Sequence, residues 1–111
     1  RRIITDAQNI VKDRYMEPDL SLDDVCADLG VSNSYFSSIF KKETGQSFVS
    51  YLTDYRMDRA EELVLNTDEK SYKIAEKAGY QDANYFSYVF KKKFGVSPSK
   101  YRASGKQQNE K

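Results

Sequence analysis

Two stretches of the chain place short polar side chains and a lysine at the spacing of one helix face, i, i+3, i+4 and i+7. In the first stretch the residues are Ser34, Ser37, Ser38 and Lys41, and in the second they are Asn84, Ser87, Tyr88 and Lys91. Side chains of this kind read base edges in the major groove of DNA, and nearby cations hold phosphates. An ordinary solvated face is the alternative for either stretch alone. Because the same polar pattern appears in both stretches, we favour two base-reading helices over two solvated faces.

Composition excludes several kinds of site. The chain of 111 residues has no histidine, so histidine-based acid–base catalysis and histidine metal ligation are excluded. Cys26 is the single cysteine, which rules out an internal disulfide and a cysteine-cluster zinc site. We expect no enzymatic activity, no metal and no cofactor, and we expect Cys26 to be a buried structural thiol. No apolar run approaches the roughly 20 residues that cross a bilayer, so we expect a cytoplasmic protein without membrane contact.

The two stretches belong to a longer internal repeat. Residues 35–51, YFSSIFKKETGQSFVSY, match residues 85–101, YFSYVFKKKFGVSPSKY, at nine of seventeen positions with an offset of 50. Upstream the match continues at an offset of 49, so the second copy has one extra residue in its turn. Two copies are too few for a solenoid, and a tandem duplication of one unit is the better interpretation.

Each copy reads as two helices joined by a tight turn, which is a helix-turn-helix. The first spans about 21–44 and the second about 71–94. The predicted N-caps are Ser21 (in a capping box with Asp24), Ser32, Ser71 and Asp82. The predicted stops are Gly30, Gly45 and Gly95, and Gly79 is expected in the turn of the second unit. The apolar stripes of the second helices are Phe36, Ile39 and Phe40, and Phe86, Val89 and Phe90.

Three further helices complete an all-α fold of about seven helices, with no credible strand. They are predicted over 3–16, over about 48–65 and from Pro98 to about Arg102. The helix of 48–65 joins the two units, and its length of about 27 Å suits recognition helices placed in adjacent grooves about 34 Å apart. We expect one DNA-binding domain over 1–102. The polar segment 103–111 lacks an anchor and is predicted to be a flexible tail.

Charge is distributed unevenly along the chain. Residues 70–111 hold ten basic and three acidic residues, whereas residues 1–69 hold eight basic and fourteen acidic ones. This predicts an anionic partner for the last third. We expect Lys41, Lys91 and Lys92 to contact phosphates, with compensation of the helix dipole as the alternative. For Arg56 and Arg59, ion pairs with neighbouring carboxylates are favoured over phosphate contacts.

The segment GYQDANYFSYVFKKKFGVSPSKYR (79–102) resembles the signature segment of the AraC/XylS family of bacterial transcription regulators. Residues 21–48 resemble the first helix-turn-helix of that family, and residues 55–68 resemble its linker helix. The resemblance covers about residues 3–102 and implies a seven-helix domain that binds double-stranded DNA in a sequence-specific manner.

The same resemblance assigns the residues that face the groove. In the first unit they are Asn33, Ser34, Ser37 and Ser38, and in the second they are Ala83, Asn84, Ser87 and Tyr88. Relatives often carry Arg or Gln at such positions. Ser and Asn make shorter contacts than a bidentate Arg–guanine pair, which leaves part of the discrimination to DNA shape and to a dimer. Asn84 is expected to pair with adenine and Tyr88 to pack on a thymine methyl.

A narrower resemblance concerns YLTDYRMDRAEELVLNTD (51–68) with SYKIAEKAGY (71–80), which are similar to the output domain of YesN-like two-component response regulators. It implies an upstream receiver or sensor domain that is absent from this chain, and we interpret the opening Arg1-Arg2 as the end of a linker.

The acidic residues of 1–39 are expected to be solvated, with contact to RNA polymerase or another partner as the alternative. A helical protein-interaction module that has lost DNA binding remains the competing function. The near-neutral net charge and the missing arginines favour that module, whereas the duplicated face and the basic last third favour DNA.

Overall fold

The computed structural model describes the backbone of residues 2–109 and the side chains as far as Gly105. Within this range the chain is all-α and contains no strand, which confirms the predicted fold class. The seven helices are α1 (Arg2–Arg14), α2 (Leu22–Leu29), α3 (Asn33–Thr44), α4 (Phe48–Asn66), α5 (Ser71–Lys77), α6 (Ala83–Phe94) and α7 (Pro98–Asn109). They form two compact units, Arg1–Tyr55 and Arg56–Lys111, whose boundary falls within α4.

The core of the first unit is built around the aromatic side chains of α3 and the start of α4. Phe36 and Phe40 are fully buried, with ring centroids 5.4 Å apart, and Phe48 contacts both rings at 5.8 and 5.7 Å. Tyr51 meets Phe40 edge to face at 5.5 Å. Cys26 is buried in the same core, as predicted, and burial raises the pKa of its thiol.

The second unit repeats this arrangement with its own residues. Phe86 and Phe90 are fully buried, and the Phe90 ring meets Tyr101 edge to face at 5.5 Å and an interplanar angle of 80°. The equivalent pair in the first unit, Phe40 and Tyr51, has the same centroid distance and an angle of 77°. The duplication read from the sequence therefore extends to the geometry of the core.

One aromatic side chain changes place between the two copies. At an offset of 50, Thr44 corresponds to Phe94 and Phe48 to Pro98. Phe94 packs on Phe90 at 4.5 Å and on Tyr101 at 5.2 Å, whereas in the first unit Phe48 supplies the additional ring. Each core thus contains one additional phenyl ring, contributed from a different position in each copy.

The ends of the helices follow the predicted signals with one exception. Ser21 and Asp24 form a complete capping box, Ser32 accepts from the Tyr35 N–H, and Gly30 ends α2 at φ 69°. The N-cap of α5 is Lys70 rather than Ser71, so that prediction was wrong. The Lys70 carbonyl accepts the first bond of the helix, from the Ile74 N–H, which makes Ser71 a helical residue.

The last helix is longer than the sequence predicted. It continues through Asn109 instead of ending near Arg102, so the predicted end of this helix was wrong; residues 110–111 lie outside the described range. The flexibility predicted for the tail stays a prediction. Two contacts with α4 account for the longer helix. The Arg102 Nε donates to the Val64 carbonyl at 2.8 Å, and Gly105 packs so closely on Leu65 that an added Cβ would lie 2.5 Å from Cδ2.

Candidate nucleic-acid interface

The exposed face of α3 carries the polar residues singled out from the sequence. Burial of Phe36 and Phe40 on one side of the helix turns its other side to solvent. The predicted residues Asn33, Ser34, Ser37, Ser38 and Lys41 are all exposed. The N-cap at Ser32 fixes where this face begins, because the Ser32 hydroxyl accepts a hydrogen bond from one of the N–H groups that have no partner within the helix.

Asn33 is hydrogen-bonded to a residue that was not among the predicted site residues. Its side-chain amide donates a hydrogen bond to a carboxylate oxygen of Asp23 on α2. This bond links the two helices of the first helix-turn-helix and occupies one of the two donors of the Asn33 amide. It also places a negative charge beside the predicted base-reading face.

The exposed face of α6 is the counterpart in the second unit. Asp82 caps the helix by accepting from the N–H groups of Asn84 and Tyr85, as predicted. Along this face Asn84, Tyr88, Lys91 and Lys92 are exposed, whereas Ala83 and Ser87 are half-buried. The structure thus brings the second set of predicted residues onto one helix, with Asn84 and Tyr88 the most available for contact.

A series of aromatic contacts leads from the interior of the second unit to this face. Arg56 of α4 is buried, and its guanidinium lies 5.4 Å from the centre of the Tyr80 ring. Tyr80 contacts Phe86 at 5.7 Å and Tyr85 at 6.1 Å, and Tyr85 stacks on Tyr88 at 6.3 Å and 29°. Burial lowers the pKa of Arg56, and the neighbouring Tyr80 opposes that shift.

The lysines at the end of α6 are not equivalent. Lys91 and Lys92 are exposed and form no ion pair within the part of the chain that the structure describes. Lys93, by contrast, pairs with Asp58 of α4 at 2.9 Å and lies over the Phe94 ring. Two adjacent cations therefore remain available for phosphates beside the Asn84 face.

The linker-helix arginines follow the sequence interpretation in part. Arg59 pairs with Glu62 at 2.8 Å, which confirms the predicted ion pair. Arg56 is buried, and its guanidinium lies over the Tyr80 ring.

The first helix of each helix-turn-helix carries opposite charge in the two units. At the offset of 49, the acidic residues Asp23, Asp24 and Asp28 of α2 correspond to Tyr72, Lys73 and Lys77 of α5. All six are exposed. Arg14 offsets one of the aspartates by pairing with Asp28 at 3.1 Å. The positive potential that attracts a phosphate backbone is therefore stronger at the second unit.

Residues 2–105 offer neither a metal site nor a membrane-spanning helix. No group of histidine, cysteine and carboxylate side chains there has an arrangement that could hold a metal ion. No helix in the described range is long and apolar enough to span a membrane.

The chain is similar in sequence and in structure to several known proteins. A family model described as a helix-turn-helix domain matches residues 25–104. The C-terminal domain of AraT, a response regulator from Geobacillus stearothermophilus, is 40% identical with a TM-score of 0.91, over 94% of this chain and 86% of that one. The C-terminal domain of the two-component response regulator yesN from Fusobacterium nucleatum is also 40% identical, with a TM-score of 0.84, over 86% and 93% of the two chains.

A curated relative shows the same similarity at the level of sequence. YtdP of Bacillus subtilis, described as an uncharacterized HTH-type transcriptional regulator, is 41% identical over 78% of this chain, which corresponds to 11% of YtdP. The chain spans about a tenth to a third of the curated relatives that it matches. The resemblance seen in the signature segment is confirmed by the match over 25–104 and by the two solved C-terminal domains. The chain therefore belongs to the helix-turn-helix family of AraC-type DNA-binding domains.

Proposed function

We propose that this chain binds double-stranded DNA with α3 and α6 in successive major grooves and acts as the DNA-binding output domain of a bacterial transcription regulator. In this role it needs no cofactor and catalyses no reaction, because its output is occupancy of a DNA site.

The observation that carries the proposal is the repeated exposed face on two helices that are each anchored by buried phenylalanines. Phe36 and Phe86 are both fully buried, and the sides of α3 and α6 that face away from them carry hydrogen-bonding groups followed by lysines. A solvated face needs no such correspondence between two copies of a unit. Two recognition helices that enter the groove in the same way do need this correspondence, because each must present its polar side chains to base edges from equivalent helix positions.

The residues of α6 have distinct parts in this proposal. Asn84 presents an amide that matches the N6 and N7 edge of adenine, and Tyr88 presents a ring to apolar groups of the groove. Lys91 and Lys92 neutralise phosphates, which fixes the register of the helix without reading sequence. In α3, Asn33 and the serines at 34, 37 and 38 make shorter contacts, with Lys41 at the phosphate backbone.

The response-regulator relatives support a larger assembly. Both AraT and yesN are response regulators whose C-terminal domains match this chain over most of its length. We infer a phosphate-accepting receiver domain upstream of residue 1 and a cytoplasmic location, where the DNA is. RNA polymerase is a partner that a regulator of this kind would meet at its site, through the acidic surface of residues 1–39.

Fluorescence anisotropy with a labelled random duplex tests the proposal. We expect binding that weakens steeply as salt rises, since counterions are released from each neutralised phosphate. Lys91→Ala should weaken this binding, whereas Lys12→Ala, which removes an exposed lysine of α1 that belongs to neither predicted face, should leave it nearly unchanged. A protein-interaction module would show no salt-dependent binding, and equal effects of the two substitutions would contradict the assigned face.

A further inference from the structure

We propose that Tyr85 is a positioning residue that holds the Tyr88 ring on α6, and that the ring so held selects DNA by the 5-methyl group of a thymine. This inference rests on the proposed function, because it concerns how the α6 face discriminates between sequences. It adds a residue outside the predicted groove-facing set, and it gives a structural cause for the contact with thymine that the sequence predicts for Tyr88.

The geometry shows how the ring is held. Tyr85 and Tyr88 are three positions apart on one helix, and their rings stack with centroids 6.3 Å apart at 29°. Tyr85 is itself supported by Tyr80, which lies against the fully buried Phe86. The contacts therefore run from the core outward, and the buried end restrains the exposed one.

Restraint matters because Tyr88 is 62% exposed. An exposed tyrosine without neighbours samples several rotamers, and fixing one of them opposes binding. A ring that already stacks on Tyr85 has lost part of this freedom before DNA arrives. Pre-organisation of this kind raises affinity for a group that fits the fixed ring and lowers it for one that does not.

The first unit cannot form the same arrangement, although it has a tyrosine at the equivalent position. Tyr35 corresponds to Tyr85, but Val31 stands where the second unit has Tyr80, and Ser38 stands where it has Tyr88. The ring stack is therefore specific to α6, and Tyr35 is a matched control within the same chain.

The chemistry of the major groove identifies the group that this ring selects. Each base pair offers hydrogen-bond donors and acceptors there, and the 5-methyl of thymine is the apolar group on those edges. The Tyr85–Tyr88 pair presents two phenyl rings at the exposed surface, beside the amide of Asn84. Apolar contact with a methyl uses the rings, whereas a hydrogen bond from the Tyr88 hydroxyl to a phosphate would use only the end of one side chain.

The experiment compares thymine with uracil, which differs only by lacking the 5-methyl. A duplex is first selected by the chain from a random pool, and each thymine in it is then replaced singly by uracil. We expect one replacement to weaken binding by about threefold to tenfold. Tyr88→Ala should abolish this discrimination, Tyr85→Ala should reduce it, and Tyr85→Phe should restore it, because phenylalanine keeps the stacked ring. Tyr35→Ala should leave it intact.

Each outcome decides the inference. Selection of a duplex with no sensitivity to uracil at any position overturns it, and so does unchanged discrimination in Tyr85→Ala. The latter result would mean that Tyr88 acts alone or binds a phosphate. Failure to select any sequence over random DNA would overturn the proposed function, and with it this inference, so the two failures are distinguishable. Thermal melting of each variant confirms that the exposed substitutions leave the fold intact.

Discussion

Replacing Lys91 and Lys92 together by alanine should flatten the salt dependence of DNA binding. Both side chains are exposed and, among the described residues, neither is held in an ion pair. Each phosphate contact contributes about 0.9 to the slope of log affinity against log salt, so losing both should lower the slope by about 1.8. Between about 50 and 200 mM salt, this corresponds to about twelvefold of the change in affinity.

The corresponding pair in the first unit, Lys41 and Lys42, should matter less. Both are exposed, but Glu43 follows them directly, and the neighbouring helix α2 carries three exposed aspartates where α5 carries a tyrosine and two lysines. Negative charges within a Debye length of about 10 Å weaken the attraction for phosphate. We therefore expect the double substitution in α3 to change the slope by less than about 0.9.

Anisotropy titrations over a series of salt concentrations measure both slopes. The difference should appear with any duplex, because phosphates carry no sequence information. Lys93→Ala is the matched control: this lysine is adjacent in sequence but paired with Asp58, so its loss should change the slope little. Compensation of the helix dipole alone predicts small, similar effects for both pairs. A larger flattening by the α3 pair would refute the reasoning from charge.

Three further predictions concern the cores, base reading and alkaline stability. Phe36→Ala and Phe86→Ala should each cost about 3–5 kcal/mol, which lowers the melting temperature of a 111-residue chain by about 13–21 °C; parent-like melting of both would show that the core is misassigned. Asn84→Ala should weaken binding to a selected duplex by about 1–3 kcal/mol and to random duplex by much less, whereas equal losses would indicate backbone contact only. The hydrogen bond from Tyr101 to Glu61 raises the pKa of the tyrosine, so its contribution to stability is complete below about pH 10 and is lost as pH rises through the raised value. Denaturant titrations at rising pH should show a shallower alkaline decline for Tyr101→Phe, and an unchanged decline would contradict this linkage.

Features that depend on local spacing could be predicted from the sequence. The burial of Phe36 and Phe86 followed from helical periodicity, and the caps at Ser21, Ser32 and Asp82 followed from residue type next to an apolar stripe. These signals depend on residues only a few positions apart, so they can be recognised in one sequence without an alignment. The exposure of the polar face of α3, and of Asn84 and Tyr88 on α6, was predictable for the same reason, whereas Ala83 and Ser87 are half-buried.

Features that depend on distant contacts could not be predicted. The extension of α7 rests on contacts of Arg102 and Gly105 with residues of α4 that are about 40 positions away. The bond between Asp23 and Asn33 and the pairing of Lys93 with Asp58 also join different helices. Composition of the segment 103–109 indicated only that it is polar, and polarity alone does not prevent a helix when a neighbouring helix offers a carbonyl and an apolar side chain.

The displaced phenyl ring limits how the two recognition helices can be recombined. Transplanting α6 whole into the place of α3 would put Phe94 at the position of Thr44 while Phe48 stays, so one core would hold a surplus ring. The reverse graft would leave the second core a ring short and create a void. Exchange restricted to the exposed positions avoids both problems. To redesign the DNA preference of either unit, substitutions should therefore be confined to the exposed face of its recognition helix. The buried residues of each unit should be left unchanged.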